Sequence, residues 1–442
     1  MGERGTLARA GMARLAAASS VGTTLEWYDF TVYNVLAAVV FGRVFFPSFE
    51  PLTGTLLSFS TYAVGYLSRP FGGFVFGHLG DRRGRRFVLV ATLLVMGVAT
   101  ALMGLLPTYA MLGVWSPLLL VVLRFAQGAA IGGEWAGAVL LSVEHGAQQQ
   151  RGRNGSFAQM GPACGTILGT AVIAAISYAL TPTQFDAWGW RLPFLLSIGL
   201  VAFGLWLRRG VTETPVFIEL QARRETASTP VIDVFRNHTR PLLTSIGARV
   251  GPDVMYALLV VFTLTYVTLA LHLSRSLALT ATMLGAACHA VAIPFFGALS
   301  DTVGRRLVYA AGTLLSIIWA FAYFMLMDTR QPALIALAVA GGMTLHAMMY
   351  GPQAALITEQ FPSRVRYAGS SLAYTLTGVV AGGFAPLIFT ALYRSYGSTL
   401  RLSLYVAVAL VLTLIALLYA HAHADLSPSR AHAMGTADAW PQ

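Results

Sequence analysis

The chain has 442 residues, of which 56% are hydrophobic and only 11% charged, and its mean hydropathy is +0.67. Soluble domains carry about a quarter charged residues, so a water-soluble globular protein is excluded. The net charge of +11 does not point to nucleic acid, because the basic residues lie in short segments between apolar runs, where the orientation signals of membrane proteins lie.

Twelve apolar runs long enough to cross a bilayer follow one another, at about 16–42, 54–77, 87–106, 116–143, 155–180, 190–208, 241–271, 277–299, 307–327, 332–358, 367–393 and 401–421. They are numbered here as spans 1 to 12. Arg4, Arg9 and Arg14 precede span 1 as in a signal peptide, but Glu26 and Asp29 within it are what a signal sequence avoids. Span 1 is therefore expected to stay uncleaved, with the N-terminus in the cytoplasm. Odd spans then run outward, and 20 of the 29 arginines fall in cytoplasmic segments against six in outer loops, as the positive-inside rule requires. Cys164 and Cys288 lie inside spans and give no metal or disulfide spacing. No metal or other cofactor is expected.

Between spans 2 and 3 lies Gly77-His78-Leu79-Gly80-Asp81-Arg82-Arg83-Gly84-Arg85-Arg86, read as a tight cytoplasmic turn. A near copy, Gly297 to Arg306 with Asp301 and Arg305, returns 220 residues later. A second repeat backs it: Glu144 precedes Arg151, and Glu359 precedes Arg366, by seven residues each. Such duplication predicts an all-α membrane protein of two similar six-helix bundles, the pattern of a secondary transporter. The expected parts are an N-terminal bundle over 1–208, a polar linker over 209–240, a C-terminal bundle over 241–422 and a mobile tail over 423–442.

The turn at 77–86 resembles the signature loop of the major facilitator superfamily. Glu26-Trp27-Tyr28-Asp29-Phe30, Arg69-Pro70-Phe71-Gly72-Gly73, Leu123-Arg124-Phe125-Ala126-Gln127-Gly128, Gly132-Gly133-Glu134-Trp135, Trp188-Gly189-Trp190-Arg191-Leu192-Pro193-Phe194, Glu213-Thr214-Pro215-Val216-Phe217 and Glu359-Gln360-Phe361-Pro362-Ser363-Arg364-Val365-Arg366 narrow it. Together these resemble the metabolite:proton symporters, which include shikimate, α-ketoglutarate, citrate and proline/betaine transporters. The resemblance implies twelve helices, a central cavity lined by spans 1, 4, 7 and 10, and a bacterial inner-membrane location with both termini cytoplasmic.

Charge inside a bilayer costs at least ~2.5 kcal/mol per residue, so the charged residues within spans are site candidates. Glu26 and Asp29, three apart on one helix face, are candidates for the coupling proton, Asp29 first as the deeper of the two. Arg124 has the fork geometry for a substrate carboxylate, or for a permanent pair with Asp29 or Glu26. Arg249 and Asp253, four apart on span 7, form either a self-neutralised pair or a second carboxylate anchor. Glu134 is expected to be structural or gating, and Arg69 to brace or snorkel. Tyr28, Tyr33, Gln127, Gln159, Tyr256, Tyr350, Gln353 and Tyr374 are weaker cavity candidates; His346 adds a group that titrates near neutral pH, and His289 is weaker again. By resemblance the repeated turns latch the halves in the outward-open state, through Gly77, Asp81, Arg82, Gly84, Arg85, Arg86, Glu144 and Arg151, and through Asp301, Arg305, Glu359 and Arg366.

The function these residues imply is proton-coupled import of a small organic acid, with the acid, the proton and the lipid bilayer as partners, no nucleic acid, and a monomer sufficient for the mechanism. Alternatives are a zwitterion symporter for proline or betaine, a drug:proton antiporter suggested by Gly161-Pro162 and the spaced glycines of span 5, and a receptor or scaffold without flux. No nucleophile, metal spacing or nucleotide loop supports an enzyme.

Overall fold

Between spans 2 and 3 the chain reverses on a single residue. The computed structural model, which describes residues 2–420 apart from 50, 146, 210, 211 and 226, keeps Asp81 to Arg83 helical and starts the next helix at Arg85. The ten-residue turn expected from sequence is thus mostly helix. Gly84 makes the reversal at φ +102° and Gly304 repeats it at +106°, a region open to glycine because it has no Cβ. The consequence is that Asp81 points from a rigid helix end. The tail at 423–442 lies outside the described residues.

No strand occurs among the described residues. Apolar backbone in lipid satisfies its own N–H and C=O groups by coiling into helices. Spans 3 to 12 appear as ten helical stretches long and apolar enough to cross a membrane, from Arg85–Leu105 to Thr399–Tyr419. Span 1 is the helix Gly2–Leu36, continued by the π-helical Ala37–Phe41 and by Gly42–Phe45. Span 2 is two helices, Pro51–Leu67 and Arg69–Arg83, interrupted at Ser68. Its second part packs backbone to backbone on span 4: a Cβ on Gly72 would lie 1.7 Å from the Ala129 carbonyl oxygen.

The halves meet in a symmetric way, span 2 against span 11 and span 5 against spans 8 and 10. Asp81 accepts hydrogen bonds from the Tyr367 and Ala368 amides, at 3.2 and 2.9 Å, at the start of the helix Arg366–Thr377. Asp301 does the same for the Gly152 and Arg153 amides, at 2.8 and 2.9 Å, at the start of Arg151–Gln159. Each carboxylate thereby satisfies orphan donors at a helix N-terminus in the other half. Beside each stands an ion cluster. Glu144 lies 3.4 Å from Arg85 and 3.5 Å from Arg366; Glu359 lies 3.3 Å from Arg305 and 4.0 Å from Arg151. The arginine-rich face is therefore closed in this structure.

Two residues expected in the latch do not cross it. Arg82 reaches only His78, 3.4 Å away on its own helix, and the Arg86 side chain donates to the Arg209 carbonyl. Both sit on the outward side of the Gly84 reversal, where a long side chain meets water or the linker.

Replacing Glu144 by Gln leaves the fully buried Arg85 and Arg366 without the carboxylate between them, a change of the kind that costs about 3–5 kcal/mol. Spin labels at Gln149 and Thr302, exposed residues on the two sides of this face, are expected to move apart in Glu144→Gln; an unchanged distance distribution contradicts the latch.

Candidate substrate cavity

Pro252 in span 7 starts the construction of the central site. Proline has no N–H to offer the carbonyl four residues earlier, and that carbonyl, of Ala248, instead accepts from the Tyr309 hydroxyl at 2.6 Å. Gln353 holds the same hydroxyl, donating to it at 2.8 Å. A further hydrogen bond ties His346 to the Pro252 backbone. The break in span 7 is thus held from spans 9 and 10, and it presents Arg249 and Asp253, one turn apart, to a central cavity.

The cavity encloses about 310 Å³ and is walled by residues of spans 1, 2, 5, 7, 8, 10 and 11. Its walls reach Arg275 at the start of the helix Arg275–Val303, the end of span 8 farther from the latch. With the arginine-rich face closed, access is from the opposite side.

Arg249 is 4% exposed. Its Nη2 donates to both Asp253 carboxylate oxygens at 2.8 Å, while Nε and Nη1 make no hydrogen bond among the described residues. The guanidinium lies 3.7 Å above the Tyr374 ring. Tyr374 in turn stacks on Trp135 of the other half, with centroids 4.3 Å apart and planes at 17°. Tyr374 is the member of this pair on the cavity wall. Gln159 locks the pair, accepting from Trp135 Nε1 at 2.6 Å and donating to the Tyr350 carbonyl at 3.2 Å.

On the N-terminal side the wall cation is Arg69, held 4.7 Å over Phe30 and 4.2 Å over Tyr66. Sequence reasoning expected Arg69 to brace or snorkel; it packs on Phe30 of span 1 and also stands on the cavity wall. Glu26 lies near it, with Arg69 the cation acting on its carboxyl, and Glu26 Oε1 is buried with no hydrogen bond.

Of the two readings of Arg124, a substrate contact or a partner of Asp29 or Glu26, its position fits the second, since it is not among the cavity wall residues. It is fully buried within the N-terminal half, 4.6 Å over Phe30 and 4.0 Å over Tyr33, and bonds Gln127. Phe30 thus separates Arg124 from Arg69 and from the cavity. Asp29 belongs to this inner network: it accepts from Thr100 at 2.7 Å, Thr100 accepts from Gln127 at 2.7 Å, and Arg124 acts on Asp29 electrostatically. Glu134 pairs with Arg208 and accepts from Thr92 at 2.6 Å.

Of the tyrosines, glutamines and histidine proposed, Tyr256, Tyr350, Tyr374 and His346 reach the cavity wall. Tyr28 donates to the Pro193 carbonyl at 2.7 Å, Tyr33 pairs with Thr61, and Gln127, Gln159 and Gln353 serve the networks above. His289 Nε2 lies 2.8 Å from His346 Nδ1, joining spans 8 and 10 behind the wall. Trp27, Phe30, Tyr66 and Arg275 are wall residues that sequence reasoning missed; the Trp27-Tyr28-Asp29-Phe30 motif was the one signal for the first two.

A helical protein with two mirrored latches around one charged, aromatic cavity is a transporter by architecture, and comparison with known proteins agrees. A family model described as Sugar (and other) transporter matches residues 15–234, and one described as Major Facilitator Superfamily matches 253–438. The shikimate transporter of Escherichia coli (strain K12) is 40% identical, with 88% of this chain and 90% of that one aligned. The inner membrane metabolite transport protein YhjE of the same strain is 37% identical over 87% and 88%. Its proline/betaine transporter is 33% identical over 83% and 75%. Among solved structures, the proton:xylose symporter XylE bound to 6-bromo-6-deoxy-D-glucose superposes with a TM-score of 0.76 over 92% of this chain and 94% of that one at 16% identity, a likeness of fold. The chain belongs to the major facilitator superfamily. It is a membrane transporter of that superfamily and not an enzyme.

Tyr309→Phe removes the hydroxyl that serves the carbonyl orphaned by Pro252. The expected loss is about 1–3 kcal/mol, read as a lowered thermal unfolding midpoint of the detergent-purified protein against wild type. An unaltered midpoint shows that the break in span 7 does not depend on this bond.

Proposed function

We propose that the protein is a proton-coupled symporter that imports a small organic acid across the bacterial inner membrane, with both termini cytoplasmic. The observation that carries this is Arg249, a permanent cation on the cavity wall whose Nη2 holds Asp253 while Nε and Nη1 make no hydrogen bond among the described residues. A planar guanidinium in that position suits a carboxylate. The charged wall residues are Arg69, Arg249 and Arg275 against Asp253, an excess of positive charge that favours an anion over a zwitterion. The rings of Trp27, Phe30, Tyr66, Tyr256 and Tyr374 supply flat apolar walls for the body of the acid, and the 40% identity to a shikimate transporter supports a hydroxylated ring acid.

Glu26 is the favoured proton carrier. Its unbonded oxygen and its position beside Arg69 couple protonation to the wall cation: a neutral Glu26 leaves the Arg69 charge to the substrate, and an ionised Glu26 draws it back. Asp29 instead accepts from Thr100 and lies beside Arg124 in the network inside the N-terminal half, where it serves as a brace. Transport then proceeds by rocking of the halves 1–208 and 241–422 about the site, with 209–240 as their tether. The latches at Asp81 and Asp301 hold the outward-open state.

Proteoliposomes with an inward proton gradient test this with labelled shikimate, α-ketoglutarate and betaine. An acid is expected to accumulate and betaine is not. Arg249→Lys is expected to lower kcat/KM for the acid by about tenfold or more, since a point charge cannot reproduce the fork, and Glu26→Gln to abolish accumulation while exchange of substrate survives. Equal accumulation of betaine overturns the anion reading, and uphill uptake by Glu26→Gln removes Glu26 from the coupling.

A further inference from the structure

A groove of about 560 Å³ lies away from the cavity at the arginine-rich face, between span 3 and the linker helix Pro215–Ala222. Phe87, Val90, Ala91 and Leu94 line it, at the spacing of one stripe along a helix. Phe87 and Leu94 are each 43% exposed, and on the outside of a membrane-spanning helix such side chains meet acyl chains. Phe217 and Gln221 of the linker helix form the facing wall.

At the polar end of the stripe stand Arg83 and Arg86. Neither has an ion-pair partner among the described residues. The Arg83 guanidinium lies 5.4 Å over the Phe87 ring, and the Arg86 side chain donates to the Arg209 carbonyl at 3.4 Å. The one acid on the wall, Glu213, accepts from the Arg85 and Arg86 amides at 3.0 and 3.1 Å. The groove is therefore an apolar trough headed by two cations against one carboxylate, an excess of positive charge.

That shape complements a glycerophospholipid, with the phosphate between the guanidiniums and one acyl chain along the stripe. A choline or ethanolamine headgroup brings a cation of its own toward Arg83 and Arg86, whereas an anionic headgroup does not. The geometry points to a binding site for an anionic phospholipid, with Arg83 and Arg86 as headgroup ligands and Phe87, Val90 and Leu94 as the chain channel. The site also bears on the latch. Glu213 caps the amide of Arg85, and the Arg85 side chain lies 3.4 Å from Glu144, so a lipid that holds the linker helix against span 3 supports the closed face.

The inference is independent of which solute is carried. Native mass spectrometry of the full-length protein, titrated in detergent with phosphatidylglycerol or phosphatidylcholine, tests it. Wild type is expected to retain phosphatidylglycerol preferentially, and Arg83→Gln with Arg86→Gln to weaken that retention by about tenfold. Val90→Trp fills the trough without changing charge and is expected to weaken it as well, which keeps the test intact should the double variant misfold. Arg82→Gln removes the same charge from a residue that bonds His78 outside the groove, and is expected to leave retention at the wild-type level. Equal loss in Arg82→Gln reduces the site to diffuse surface charge and overturns it. Unchanged retention in Val90→Trp, or equal retention of phosphatidylcholine, overturns it too.

Discussion

An arginine buried in a membrane protein keeps its charge, since no accessible pH removes its proton. The surroundings must therefore accommodate a permanent cation, and the way they do so sorts the arginines of this chain. Arg208 is held inside one half by Glu134 and the Leu89 carbonyl. Arg124 is held there by Gln127 and two aromatic faces, with Asp29 as the anion nearby. Arg85 and Arg366 come from different halves and share Glu144. Among the described residues, Arg249, Arg69 and Arg275 are the arginines on the cavity wall. The same residue type is thus a brace, a clasp or a ligand according to which carboxylate can reach it.

The clasps are paired because the halves are. Asp81 and Asp301 each cap a helix start in the opposite half, and each is followed four residues later by an arginine that approaches a glutamate at the end of a span. The closed face therefore carries two nearly equivalent polar contacts, set beside a buried apolar cluster to which both halves contribute, among others Val139, Leu140, Phe361 and Tyr367.

Much of this was legible in the sequence because it is one-dimensional information. Apolar run lengths gave the spans, and Asp81, Asp301, Glu144 and Glu359 stood out through repetition. The pairing of Arg249 with Asp253 followed from helical spacing. What spacing does not encode is which flank of a span faces the cavity and which faces a sister helix. Arg124 lies on span 4, which was expected to line the cavity, yet its side chain turns inward, into a pocket left by Gly65, where a Cβ would lie 2.7 Å from the guanidinium Nε. Arg69 carries no sequence mark of the cavity wall on which it stands. The network from Asp29 through Thr100 to Gln127 joins three spans and has no local pattern to announce it.

Phe30 connects the two outcomes. Its ring lies between Arg69 and Arg124, 4.7 and 4.6 Å from them, so two cations share one aromatic face pair across the boundary between cavity and bundle. A quadrupolar ring attracts each cation while keeping them apart. Glu26 lies on the Arg69 side and Asp29 on the Arg124 side, three residues apart on span 1, on either side of this division in their partners. On the proposed reading, a proton gained or lost at Glu26 alters the charge that Arg69 presents to the solute, and the braced pair behind Phe30 holds span 1 in register while that happens. The neighbouring carboxylates of one short motif would then have different duties, one coupling the solute site and one bracing the bundle, assigned by which arginine each faces.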